Sequence, residues 1–269
     1  MDTVQKRGEI ISFDQRLLVS QRYKRITRAV NLEFWGSTSE TDHSMYVGSY
    51  GRGTAINTSD IDMLVELPRD EYERFDALKG NGQSRLLQAL KNAIKQTYPR
   101  SDIHADGQVV VIEFADGIKF EVLPAFRQTD WTGKWTGKYD YPDTNMGGNW
   151  LTTNPKAEQL AMKTRNIESN GLLFDTCKHM RAIRDNHFKS YHLPGIVIDS
   201  FAYHYIGGWH WLREDETSSG LPDGTYEKKL NSSCPSWALN LPAPGSGEPV
   251  NVSDCIDVLK KVLNFMARD

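Results

Sequence analysis

The sequence is poor in residues that staple a fold or coordinate soft metals. It has three cysteines, Cys177, Cys234 and Cys255, widely spaced and without a CxxC pair. That excludes a disulfide framework and a cysteine zinc site. The histidines supply neither an HExxH nor a mixed Cys/His zinc spacing. No apolar run approaches the roughly 18 residues of a membrane span, and the opening MDTVQKRGEI lacks the apolar centre of a signal peptide. A soluble protein of the reducing cytoplasm, with no membrane partner, is expected. Excess positive charge is also missing. A net charge of −3 and a pI near 6.2 argue against a surface built to grip nucleic acid, while allowing a small basic pocket for a phosphorylated molecule. What is present is ordinary: 39% hydrophobic, 10% aromatic and 25% charged residues describe a globular chain, not a disordered one. Its 269 residues suit one large domain or two small ones.

Periodicity organises the chain. Ile11, Leu17, Leu18, Ile26, Val30 and Phe34 recur at roughly helical spacing and predict one long helix over 10–35. A short strand, Met45-Tyr46-Val47, leads into a Gly-rich turn, Gly48-Ser49-Tyr50-Gly51-Arg52-Gly53. The clearest strand is 61–67, with Ile61, Met63, Val65 and Leu67 on one face and Asp60, Asp62 and Leu64 on the other. Leu86, Leu87, Leu90 and Ile94 predict a helix over 85–96, and β-rich runs at 109–114 and 118–123 flank Asp116-Gly117, a hairpin signal. Residues 127–150, polar and aromatic, read as a loop. Helices are expected over 156–166, 172–184 and 199–212, then an irregular stretch over 214–249. A last helix is expected to be capped by Ser253. A mixed α/β half and a helical half meet near Trp150, giving an α+β protein with domains 1–150 and 151–269, the N-terminal helix free to span both.

The candidate chemistry begins with Asp60 and Asp62, two apart on a strand and pointing the same way. Two aspartates that close repel unless a cation lies between them, and Mg²⁺ takes one or two carboxylates plus substrate phosphates. A D-x-D alone is usually a solvated turn. Here it follows a Gly-rich turn whose glycines 48, 51 and 53 permit close backbone approach to an anion, with a hydroxyl from Ser49 and a cation from Arg52. Glu121, on the polar face of the 118–123 strand, is the candidate third acid; a solvated edge glutamate is its plain alternative.

Val47-Gly48-Ser49 followed after ten residues by Asp60-Ile61-Asp62-Met63 resembles the signature of the polymerase β-type nucleotidyltransferases. The longer strings GSYGRGTAINTSDIDMLVEL and FEVLPAF, the GGNW at 147–150 before Thr153-Asn154-Pro155, and Asp199-Ser200-Phe201 resemble the bacterial CD-NTases, the cGAS/DncV-like enzymes that make cyclic oligonucleotide signals in antiphage defence. The resemblance implies a polymerase β-like core, a mixed sheet with a long N-terminal helix, and a helical C-terminal half closing a nucleotide cleft. It implies that Asp60, Asp62 and Glu121 bind two Mg²⁺ ions (Mn²⁺ as a substitute), Glu121 standing where many relatives carry aspartate. It further implies that Gly48, Ser49, Arg52, Lys178, Arg181 and Ser200 hold the nucleotide.

The activity so implied joins NTPs, ATP or GTP first and a pyrimidine NTP as a further substrate, releasing pyrophosphate. An acceptor ribose hydroxyl attacks the α-phosphorus in line, and reorienting the linear intermediate closes a ring. A downstream effector responds to the product; nucleic acid enters only as an activator. Three other readings stay open: transfer of one NMP to a protein, RNA or small molecule, a degenerate nucleotide-binding regulator, and a plain interaction module. The aromatics Trp131, Trp135, Tyr139 and Tyr141, interleaved with Lys134 and Lys138, suit either base stacking or a packed surface loop.

Overall fold

The computed structural model describes residues 3–8, 10–58, 60–217, 220–235 and 238–268; Ser59, inside the motif string, lies outside the described residues. The chain divides into two compact units, Ser12–Gly51 with Asp60–Pro155, and Met1–Ile11 with Arg52–Ser59 and Lys156–Asp269.

The first unit opens with α1 (Phe13–Trp35). Ser12 begins it through a capping box: its Oγ accepts the Gln15 N–H, and the Gln15 side chain accepts the Ser12 N–H. Gly36, at φ 61°, ends it in the left-handed region. There follow β1 (Ser44–Tyr46), α2 (Gly48–Arg52), β2 (Ile61–Glu66), α3 (Arg69–Asp76), α4 (Gly82–Thr97), β3 (Asp102–Asp106), β4 (Val109–Glu113), β5 (Lys119–Thr129), β6 (Trp135–Asp143) and β7 (Asn149–Thr153). The strands form one mixed sheet in the order β1-β2-β5-β4-β3, with β6 on β5 and β7 on β6. Its parallel pair is β2 with β5.

Strand alternation divides this sheet chemically. Ile61, Met63 and Val65 of β2 and Phe120 and Val122 of β5 pack with Ile26 and Val30 of α1 and Leu86, Leu90 and Ile94 of α4 in the main core. The opposite face carries a smaller patch around Leu64, Ala125 and Tyr139. Asp62 and Glu121 alternate onto that second face, away from α1 and α4.

Two expectations for this unit need correcting. Residues 127–150 are not a loop but contain β6 and β7. Trp135, Tyr139 and Tyr141 keep the two-residue period of a strand, and Tyr139 is wholly buried; Gly137 and Pro142 disguise the signal. Trp131 at the β5–β6 turn is 96% exposed. The Gly-rich turn at 48–53 winds into the short helix α2, whose Gly51 N–H donates to the Val47 carbonyl at 2.8 Å.

The second unit holds α5 (Pro155–Glu168), α6 (Leu172–His187), α7 (Gly195–Tyr205), α8 (Thr225–Ser232), β8 (Asn240–Pro242), β9 (Pro249–Asn251) and α9 (Ile256–Met266). Met180 of α6, Val197, Ile198 and Phe201 of α7 and Leu259, Val262 and Leu263 of α9 form its core. Here α7 starts and stops earlier than periodicity predicts: Pro194, at φ −58°, sets its entry, and Gly207-Gly208 follow its end. The stretch 214–249 carries α8 and β8, and β8 pairs with β9. Ser253 does not cap α9; Cys255 does, without a side-chain bond, and the Ser253 hydroxyl donates to Asn251 Oδ1 instead. No helix among the described residues is long and apolar enough to cross a membrane.

Candidate active site

The parallel register of β2 and β5 sets Asp62 directly beside Glu121, one step after the Ile61–Phe120 pair. Period two then puts Asp60 and Lys119 on the same face, one step before that pair. Four charged side chains thus form a block of D-x-D against K-x-E. Lys119 Nζ bridges the block, 2.8 Å from Asp60 Oδ2 and 2.8 Å from Glu121 Oε1. Burial works against charge on this amine, yet hydrogen bonds to Asp60 and Glu121 and their negative charges raise its pKa above the ordinary lysine value. Sequence reading missed Lys119. The available signal was its two-residue spacing from Glu121.

Gly48 closes the other side. Its backbone is left-handed at φ 57°, and a Cβ there would overlap the Asp62 carboxylate. The Val47 N–H donates to the Asp62 carbonyl at 2.9 Å, so one strand edge fixes both the acid and the entry to α2. Gly48→Ala is expected to cost about 1–2 kcal/mol for the backbone alone and to push Asp62 out of place. Urea denaturation reads the first effect, and nucleotide turnover, falling further than stability explains, reads the second.

Four other predicted residues belong to the helical unit, and there the structure gives Arg52, Arg181 and Ser200 buried positions. Asp199, wholly buried, accepts Arg181 Nη1 at 2.7 Å on Oδ1 and Arg181 Nη2 at 2.9 Å on Oδ2. It also accepts Arg52 Nε at 2.8 Å and the Thr54 hydroxyl at 3.1 Å. Arg52 Nη1 continues to Glu158 Oε2 at 2.9 Å, and Arg181 Nη2 to the Gly195 carbonyl at 3.0 Å. Burial opposes the Asp199 charge, but the two guanidiniums win and hold its pKa at about 2. Both arginines therefore spend their charge on a carboxylate that sequence reading did not single out. Ser200 is wholly buried, its Oγ without a hydrogen-bond partner among the described residues. Lys178 stays partly exposed, its Nζ donating to the Gly8 carbonyl at 2.7 Å.

Among the described residues no group of three or more His, Cys, Asp or Glu side chains is placed to hold a metal ion. The donor set still suits a divalent ion. Asp60, Asp62 and Glu121 offer the oxygen ligands Mg²⁺ prefers, and two of them already converge on one cation, the Lys119 ammonium.

A mixed sheet that presents a D-x-D and a further acid on a parallel strand pair, beside a Gly-Ser entry to a helix, has the architecture of a polymerase β-like nucleotidyltransferase. Solved structures agree on the fold. The chain is similar to a STING-associated CdnE c-di-GMP synthase from Capnocytophaga granulosa, with TM-score 0.63 at 12% identity over 93% of this chain and 81% of that one. It is similar to the CdnE c-UMP-AMP synthase of Rhodothermus marinus, solved with Apcpp and Upnpp, with TM-score 0.59 at 14% identity over 91% and 88%. It is also similar to the CD-NTase CdnG of Bradyrhizobium diazoefficiens in complex with GTP, with TM-score 0.58 at 12% identity over 95% and 84%. No curated protein sequence matches the chain. The family model of the Second Messenger Oligonucleotide or Dinucleotide Synthetase domain, SMODS, matches residues 10–166. The chain belongs to this family, and it is a nucleotidyltransferase of the kind that builds oligonucleotide second messengers.

Proposed function

We propose that the protein condenses nucleoside triphosphates into a cyclic di- or oligonucleotide in the cytoplasm of a bacterium under phage attack, and that an effector responds to this product. The observation that carries the reading is the placement of Asp60, Asp62 and Glu121 on one sheet face with Gly48 against Asp62. These three carboxylates would hold Mg²⁺ or Mn²⁺, which when bound neutralises phosphate charge and makes a ribose hydroxyl a better nucleophile. Gly48, bare of a side chain, makes room for the Asp62 carboxylate at the entry to α2, and the Ser49 hydroxyl beside it would donate to the triphosphate. The β2–β5 register fixes the backbones of Asp62 and Glu121 side by side, which keeps their reorganisation small as charge develops. Relatives solved with GTP or with Apcpp and Upnpp support purine and pyrimidine NTPs as the substrates to offer.

The test incubates the protein with four labelled NTPs and Mg²⁺ or Mn²⁺, treats the mixture with phosphatase, and weighs what survives. A phosphatase-resistant cyclic product is expected. A labelled macromolecule would replace this reading with single-NMP transfer, and NTP binding without turnover would replace it with a nucleotide-binding regulator.

A further inference from the structure

We infer that Lys119 is the resident counter-ion of the carboxylate face, and that a divalent cation enters only by displacing its ammonium from Asp60 and Glu121. The inference rests on the proposed reading of those acids as metal ligands, and it goes beyond it by assigning a residue that sets how tightly they take a metal.

The geometry that points there is independent of any metal. Lys119 and Glu121 share one face of β5, Asp60 and Asp62 share the matching face around β2, and the register sets the two pairs side by side. Three negative charges so placed repel one another. The ammonium of Lys119 lies 2.8 Å from one oxygen of each of two of them and relieves part of that repulsion. Asp60 and Glu121 cannot give the same oxygens to an ammonium and to a metal at once. Side-chain exposures of 30% for Lys119, 47% for Asp60 and 29% for Glu121 leave the amine at the solvent edge, free to swing out on its four-carbon stem. Without metal the lysine keeps the face from carrying an unrelieved triple charge. With metal it is released as a mobile cation beside the acids.

The energetic consequence has a definite sign. Each ion pair that must break is subtracted from metal affinity, and two partly exposed pairs together correspond to about a tenfold change in Kd. A lysine replaced by a neutral side chain of similar length therefore tightens metal binding, whereas arginine, which keeps the charge, does not.

The experiment titrates Mn²⁺ alone into the full-length protein without nucleotide and reads free Mn²⁺ by electron paramagnetic resonance. Lys119→Gln is expected to bind Mn²⁺ about tenfold more tightly than the parent, and Lys119→Arg to stay within about twofold of the parent. Equal or weaker binding by Lys119→Gln overturns the inference. Asp62→Asn, run alongside, separates the two levels of argument. If it loses affinity while Lys119→Gln matches the parent, the metal-ligand reading stands and the counter-ion fails; if it binds Mn²⁺ as the parent does, the metal-ligand reading itself fails. A measurement on the unaltered protein covers the case in which Lys119→Gln does not fold. Labelling of Lys119 by an amine-reactive ester, followed by mass spectrometry, is expected to speed up several-fold when Mn²⁺ is added, because the amine leaves its two carboxylates. Unchanged labelling at saturating Mn²⁺ overturns the inference.

Discussion

Replacing Asp62 by asparagine is expected to lower pyrophosphate release from mixed NTPs by about a thousandfold or more, with no loss of thermal stability. The two halves of this result have different origins. Asp62 lies beside Glu121 in the register of β2 and β5, and its carbonyl is held by the Val47 N–H. Asparagine keeps the shape and leaves that backbone bond untouched. What it removes is one negative charge beside Glu121, which lowers the repulsion between these neighbouring acids. The chemistry loses much more. A site that gathers cations around a triphosphate works through charge, and the neutral amide oxygen is a far weaker ligand for a hard ion. The measurement pairs a pyrophosphate-release assay with a melting curve. Retained turnover would remove Asp62 from the catalytic scheme. A large fall in melting temperature would make it a structural residue.

Much of this site could be read along the chain because its signals are local. Asp60 and Asp62 are two apart, the Gly-Ser entry precedes them closely, and alternation alone puts Glu121 on the polar side of its strand. The long helix and the hairpin around Asp116-Gly117 were legible from local signals too: roughly helical apolar spacing without a proline marks the one, and an Asp-Gly pair between two β-rich runs marks the other. Where the period is diluted, reading failed. Gly137 and Pro142 hid β6, and flanking Gly, Pro and Ser residues hid α8. Charge partners were the least legible. Arg52 is separated from Asp199 by 147 positions and Arg181 by 18, and Lys119 meets Asp60 only because two distant strands pair in parallel. Basic residues near a candidate phosphate site look alike in sequence, whether a ligand or a buried carboxylate neutralises them. Asp199 did leave one trace, as the lone acid in the apolar run Gly195-Ile196-Val197-Ile198-Asp199-Ser200-Phe201-Ala202.

That acid carries the second large prediction. Asp199→Asn is expected to lower the unfolding free energy by about 3–5 kcal/mol, read as a shift in the urea midpoint at constant slope. Arg181 is 1% and Arg52 8% exposed, so neither guanidinium can recover its hydration once the carboxylate charge is gone. Glu158 still answers Arg52, but among the described residues Arg181 keeps carbonyl oxygens alone, those of Gly195 and Cys177. The cost is that of an orphaned buried charge, and this makes the effect non-additive. Removing the orphan as well, in Asp199→Leu with Arg181→Met, leaves the Arg52–Glu158 pair balanced and is expected to restore most of the loss. The pH dependence has a fixed sign. The folded pKa of Asp199, about 2, lies below the ordinary aspartate value near 4. Its contribution is therefore complete above about pH 4 and is lost as the pH falls toward 2. The parent and Asp199→Asn should differ most near neutrality and converge through that window. A gap that persists unchanged to pH 2 would show that the charge of Asp199 is not what holds the two arginines.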